Sequence, residues 1–229
     1  MDKNIEVNLF VTRHGKTEFN NYNKVQGWSD SALTKEGIEV ARYLGEGIKD
    51  IEFKKAYSSD FGRASDTLDI VLEKNINNNI EVERKENLRE WNFGAFEMGP
   101  SEYMLETIGN ELKIEKEEVF LYDLEKVSNT LANLDKNKES ENWNQIEKRL
   151  KKAMDEIVEE MIGYGGGNAL VVTHGLTIAS LIKILDKDHI LEKPLENASI
   201  THIKYKNGEY KIVHSNNLDY IEKGKLNSK

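Results

Sequence analysis

Two segments of this chain share one pattern. Residues 9–16 read L-F-V-T-R-H-G-K and residues 170–177 read L-V-V-T-H-G-L-T, so each apolar run passes through threonine and ends in His-Gly. Continuous apolar runs of this length read as strands buried on both faces, which need helices above and below them. The glycine after each histidine lets the backbone turn sharply and come close to a ligand. The chain is thereby confined to sheets covered on both sides.

The rest of the sequence supplies the covering helices. Thr34 is positioned to cap a helix carrying Val40, Ala41, Leu44 and Ile48 on one face, although Gly37 stands where a capping box would place glutamate. Lys55 to Ser58 reads as a short strand, followed by a helix with Ala64, Thr67, Leu68, Val71 and Leu72 at helical spacing. Ile80 to Val82 is a further short strand. Trp143, Ile146, Leu150, Met154, Ile157 and Met161 mark a long helix ending at Gly163. The glycines at 163–167 follow that helix and precede a strand, so they read as a helix stop and connection and not as a nucleotide loop. Leu176 to Leu185 is a helix, and Ile200 to Ser215 is a hairpin turning at Asn207-Gly208.

Strands alternating with helices predict an α/β three-layer sandwich: a mainly parallel central sheet flanked by helices, with the hairpin as an antiparallel edge. Between about residues 96 and 142 glutamate, lysine and asparagine dominate. This stretch is expected to form a small inserted, partly helical cap with a thin core, within a single domain spanning 1–229.

Composition narrows the function. The 229 residues carry a formal net charge of −9, with lysines scattered among glutamates, which argues against a nucleic-acid partner. No apolar run approaches the roughly 20 residues that cross a bilayer. There is no basic-then-apolar leader at the N-terminus, so the cytoplasm is the expected compartment. With no cysteine, disulfide and thiolate chemistry are excluded.

In open α/β sheets ligands sit outside the carboxyl ends of the strands. His14 and His174 are therefore expected at one sheet edge, joined by Arg13. Ser58-Ser59-Asp60-Phe61-Gly62-Arg63 places Arg63 in the first turn of a helix, with serine and aspartate positioned to cap it. Two guanidiniums and two imidazoles suit a tetrahedral dianion: arginine presents a planar fork to phosphate oxygens, and a neutral imidazole can attack phosphorus. His189, His202 and His214 lack this context and read as structural.

At these residues the chain resembles the histidine phosphatase superfamily, which includes the cofactor-dependent phosphoglycerate mutases. The resemblance rests on R-H-G at Arg13 to Gly15 with Thr17 and Asn20, on Q-G-W-S-D-S-A-L-T-K-E-G from Gln26 to Gly37, and on S-S-D-F-G-R ending at Arg63. It continues in L-R-E-W-N-F-G from Leu88 to Gly94 and V-V-T-H-G from Val171 to Gly175. It implies that His14 is the phosphorylated nucleophile and that Arg13, Arg63 and His174 complete the phosphate pocket. Glu90 is implied as the acid that protonates the leaving oxygen, with Glu97 as its rival, and Asn20 as a polar contact to phosphate. Neither a metal nor a cofactor is implied.

The family pattern near Glu97 often has glycine next, where this chain has Met98, which bears on where the cap begins. The mutases of the family follow the glutamate with Arg-His-Tyr-Gly, where this chain has Trp91-Asn92-Phe93-Gly94, and no arginine lies between Arg89 and Arg149. Aromatic side chains cannot neutralise a second acidic group. The resemblance therefore points to a phosphomonoesterase acting on small phosphorylated metabolites, with mutase chemistry or a non-catalytic phospho-ligand sensor as the alternatives.

Overall fold

The computed structural model describes residues 5–228. The chain runs β1 (Glu6–Arg13), α1 (Glu18–Asn21), α2 (Lys35–Ile48), β2 (Phe53–Ser58), α3 (Gly62–Leu72) and β3 (Glu81–Arg84). It continues through α4 (Ser101–Leu112), α5 (Leu124–Leu134), α6 (Trp143–Gly163), β4 (Gly167–Thr173), α7 (Gly175–Leu185), β5 (Ile200–Lys206), β6 (Glu209–Asn217) and α8 (Asp219–Asn227). The strands form one sheet in the order β3-β2-β4-β1-β5-β6. Its first four strands are parallel, and the hairpin β5–β6 joins antiparallel beside β1. Asn207 and Gly208 both adopt positive φ at the hairpin turn, as the Asn-Gly pair predicts.

Successive strand residues point to opposite faces and fill two separate cores. Leu9, Val11, Ala169, Val171 and Ile203 face α6 and α7, while Phe10, Ala56, Leu170, Val172 and Ile200 face α2, α3 and α8. This accounts for the unbroken apolar runs in β1 and β4. The segment from 96 to 142 has no separate core: Met104, Ile108, Val119, Val127 and Leu131 pack into the same cluster as α6 and the sheet. Asp135 ties this segment down, accepting bonds from the backbone N–H groups of Ala95, Asn137, Glu139 and Ser140. Burial alone would raise its carboxyl, but those donors together outweigh it and hold the group low, at about 2. Among the described residues, no helix is long and apolar enough to cross a membrane.

Some features depart from the sequence reading. Thr34 caps α2 as expected, through the Gly37 N–H. At α3, however, Phe61 is the cap residue and no side chain caps the helix. Asp60 is drawn away by a two-pronged ion pair with Arg89. Met98, which stands where the family pattern often has glycine, takes a left-handed conformation, φ 62°, that a side chain adopts only with backbone strain. Neither α1 nor α8 is foreseen; α1 is a single turn closed by a capping box between Thr17 and Asn20.

The helix α8 seats on α2 through glycines. A Cβ on Gly224 would lie 1.7 Å from the Tyr43 carbonyl oxygen, and one on Gly47 would lie 1.8 Å from that of Tyr220. Gly224→Ala should therefore destabilise the protein by about 1–3 kcal/mol through overpacking, as read from urea unfolding.

Candidate active site

The parallel pairing of β1 with β4 sets Arg13 opposite Thr173, and the His14 N–H continues the ladder onto the Thr173 carbonyl at 2.9 Å. His14 and His174 consequently leave the sheet side by side, with ring centroids 5.2 Å apart. The backbone around His14 is held from two directions. The Gly15 N–H donates to Thr67 Oγ1 on α3, and Asn197 Nδ2 donates to the His14 carbonyl.

The protonation of both rings follows from their partners. His14, 4% exposed, has Nδ1 2.7 Å from the Gly15 carbonyl oxygen. A carbonyl only accepts, so Nδ1 carries the hydrogen and Nε2 the free lone pair. His174 is fully buried, and its Nδ1 accepts from Arg63 Nε at 3.1 Å, which leaves the hydrogen on Nε2. Burial, reinforced by the nearby guanidiniums, holds both imidazoles well below the usual value of 6.5. Both rings are neutral at neutral pH.

Arg13 Nε and His174 Nε2 are both buried and without a partner among the described residues. Arg13 is anchored through Nη1 to the Leu195 carbonyl, and its Nε lies against Gly175 at the start of α7. Arg63, 1% exposed, directs four N–H bonds at protein acceptors: His174 Nδ1, the Gly27 and Ser29 carbonyls, and Asp30. Of its five N–H groups one is left over. Arg63 thus fixes the His174 tautomer and anchors the loop at 27–30. Burial lowers both guanidiniums from their usual range, and Asp30 and Glu90 offset this for Arg63.

Glu90 and Glu97 have different surroundings. Glu97 accepts bonds from the N–H groups of Gly27, Trp28, Ser29 and Phe93 and from the Ser29 hydroxyl, so it staples two loops together. Glu90 sits on the N-terminus of α7. Its Oε1 accepts from the Trp91 and Thr177 N–H groups and the Thr177 hydroxyl, whereas Oε2 accepts only from the Leu176 N–H, at 3.0 Å. The first-turn N–H groups of α7 thus fix the position of the Glu90 carboxyl.

A cavity of about 220 Å³ opens over these groups. Arg13, His14, Asn20 and Glu90 line it, while Arg63 and His174 are packed beside His14 and do not. Asn20 spends its Oδ1 on the Thr17 N–H, which leaves the amide nitrogen as its free donor. The outer wall is apolar, built by Phe93, Met104, Phe120, Leu121, Leu176 and Leu195, and Lys24 is the single cation added at the rim. The apolar wall was not legible in the sequence, because its residues come from five separated places in the chain with no shared motif. Trp91 stays in the core with its Nε1 on Ser180 Oγ. His189, His202 and His214 do not line the cavity: His189 contacts Ser215, His202 contacts Asn8 and the Phe10 ring, and His214 meets the His202 ring edge-on.

A histidine kept neutral in the folded state binds its proton only below the unfolded value. Unfolding therefore takes up protons as pH falls below about 6.5, and stability falls with it; above 6.5 neither state titrates there. Each of His14 and His174 should contribute up to about 1.4 kcal/mol per pH unit in that window. Unfolding measured across it should show a flatter slope for His174→Gln.

Known proteins resemble this chain along most of its length. Residues 9–218 match the sequence model of the histidine phosphatase superfamily (branch 1). The crystal structure of a phosphoglycerate mutase from Bacillus anthracis str. Sterne superposes with a TM-score of 0.92 at 40% identity, covering 97% of this chain and 98% of that one. A 2,3-bisphosphoglycerate-dependent phosphoglycerate mutase from Parvibaculum lavamentivorans is 41% identical over 88 residues, which is 38% of this chain and 42% of that protein. The match thus spans less than half the length of that relative. A second protein of the same name, from Hamiltonella defensa, is 28% identical over 206 residues, 84% of this chain and 82% of its own. With the family pattern matched along nearly its whole length, the chain belongs to the histidine phosphatase superfamily.

Proposed function

We propose that this protein is a phosphomonoesterase that works through a phosphohistidine on His14, on monoesters whose alcohol portion is largely apolar. The observation that carries this reading is the neutral His14 ring, with its Nε2 lone pair free, beside two buried and unpartnered donors on Arg13 and His174. Such donors suit the non-bridging oxygens of a phosphoryl group and the charge that develops on them in transfer.

The reaction balances with these residues alone. Nε2 of His14 attacks phosphorus, the P–N bond forms and the P–O bond to the alcohol breaks. A protonated Glu90 gives its proton to the departing oxygen. Water then attacks phosphorus, Glu90 takes its proton, and the P–N electrons return to Nε2. Oε2 of Glu90 is the oxygen suited to this exchange, because it has one protein partner where Oε1 has three. Glu97 is less suited, since five donors occupy its oxygens and it does not line the cavity. In this reading Arg13 and Asn20 bind the phosphoryl oxygens from the cavity lining, and Arg63, outside that lining, holds the His174 ring beside His14.

The apolar wall supports hydrolysis over mutase transfer. A mutase must hold a second acidic group, and beyond Arg13 the lining offers it one further cation, Lys24, beside the neutral side chains of Asn20, Gln26 and Ser101. Mutase chemistry is the second reading, favoured by the name of the 40% identical structure from Bacillus anthracis. A sensor without turnover would be expected to lack one of the central residues, and Arg13, His14, Arg63 and His174 are all present.

Phosphate release should be measured on aryl and alkyl phosphates beside 3-phosphoglycerate, with and without the bisphosphorylated mutase cofactor. Faster release from the apolar esters is expected, and cofactor-dependent isomerisation with no net release would establish the mutase instead. His14→Ala should lower turnover by more than about a thousandfold. Glu90→Gln should slow alkyl phosphates by about 10²–10⁴ and p-nitrophenyl phosphate far less, because only the poorer leaving group needs its oxygen protonated.

A further inference from the structure

The segment that carries Glu90 has an unusual backbone problem. After a short 3-10 turn at Glu86–Leu88 it runs through Arg89 to Asn92 outside any strand or helix, beside the buried face of α7. Buried carbonyls in such a segment have no ladder to join and still need donors. One side chain from another element supplies three of them. Arg149, on α6, donates from Nη1 to the carbonyls of Asn87 at 3.2 Å and Arg89 at 2.8 Å, and from Nη2 to that of Glu90 at 3.1 Å.

The remaining N–H groups of Arg149 meet Glu141. Nε bonds Glu141 Oε1 at 2.7 Å and Nη2 bonds Oε2 at 2.9 Å, so all five guanidinium hydrogens are committed. Glu141 in turn closes on the same segment from its other end. Its Oε2 accepts the Asn92 N–H at 3.0 Å, and its own N–H donates to the Asn92 carbonyl at 3.1 Å. A second donor, Trp28 Nε1, also reaches the Glu90 carbonyl, at 3.1 Å. Arg149 does not line the cavity.

We infer that Arg149, braced by Glu141, is a positioning residue that holds the Glu90 carboxyl where it meets the leaving oxygen. The inference rests on the assignment of Glu90 proposed above. Lysine cannot replace it, because three donors on a flexible stem cannot satisfy three carbonyls and a carboxylate in one plane. A residue acting in this way alters proton delivery and leaves phosphoryl binding by Arg13 and His14 in place. Its loss should therefore be felt in proportion to how much the leaving group needs a proton.

The test compares kcat/KM for n-hexyl phosphate and p-nitrophenyl phosphate in wild type, Arg149→Met, Arg149→Lys, Glu141→Gln and Glu90→Gln, with folding checked by thermal melting. Arg149→Met should lower the hexyl ester at least about tenfold more than the p-nitrophenyl ester. Arg149→Lys should not rescue that loss, and Glu141→Gln should shift the ratio in the same direction by less. Adding Arg149→Met to Glu90→Gln should leave the ratio nearly unchanged, since both act through one carboxyl. Equal losses for the two esters in Arg149→Met, or no loss, would overturn the inference. If Arg149→Met does not fold, an unchanged ratio in folded Glu141→Gln overturns it as well. Should Glu90→Gln itself show no leaving-group dependence, the assignment of Glu90 fails first, and with it the premise.

Discussion

Everything at this site hangs on the pairing of β1 with β4. The two strands lie parallel in the middle of the sheet, and the ladder runs on past Arg13 until the His14 N–H meets the Thr173 carbonyl. A slip of one residue would turn every side chain of β1 to the other face and exchange its two cores. The apolar alternation of Leu9 and Val11 against Phe10 fixes that register, and with it the 5.2 Å separation of the two imidazoles. Packing on both faces of the sheet thus sets the geometry of a polar site at its edge.

The charges around the two rings are arranged to keep them neutral. Arg63 is the pivot: its Nε fixes the His174 tautomer, and its terminal nitrogens pin the loop at 27–30, which Glu97 holds from the other side. A buried guanidinium with four of five hydrogens committed is costly to misplace. That gives the loop one position and gives His14 a constant electrostatic neighbour. Glu90 is placed by a different device, the first turn of α7, whose N–H groups have no partner within their own helix. A single helix therefore begins at His174 and ends the search for the Glu90 carboxylate, so both sides of the site share one rigid support.

The chain belongs to a family in which the relatives named above are mutases, and in the function proposed here the groups assigned to phosphoryl binding suit either outcome. In that proposal hydrolysis and transfer are separated by the outer part of the cavity, where a second acidic group is either held or not. Here that part is built by Phe93, by Met104 and the Phe120-Leu121 turn of the 96–142 segment, and by Leu195 after α7. These residues reach the cavity because their segment packs into the main core and not into one of its own.

Much of this was legible in the sequence. The paired His-Gly strand ends, the Asn-Gly hairpin, the long α6 stripe and the positions of Arg13, His14, Arg63 and His174 come from local patterns, because strand burial and turn chemistry are properties of a few consecutive residues; Glu90 was singled out only by the family resemblance. Other features were not. The side-chain cap foreseen for α3 gave way to the Asp60–Arg89 ion pair, a contact 29 residues apart. The helix α8 declares itself only through Gly47 and Gly224, whose missing side chains let two backbones touch. The roles of Arg149 and Glu141 depend on carbonyls left over by an irregular turn 60 residues away. The sequence by itself determined which residues end the central strands and hence what chemistry stands at their edge. Which carboxylate faces the cavity, which tautomers the histidines adopt and what lines the outer wall were decided only by the tertiary structure. Those depend on donors and surfaces that distant segments bring together when the chain packs.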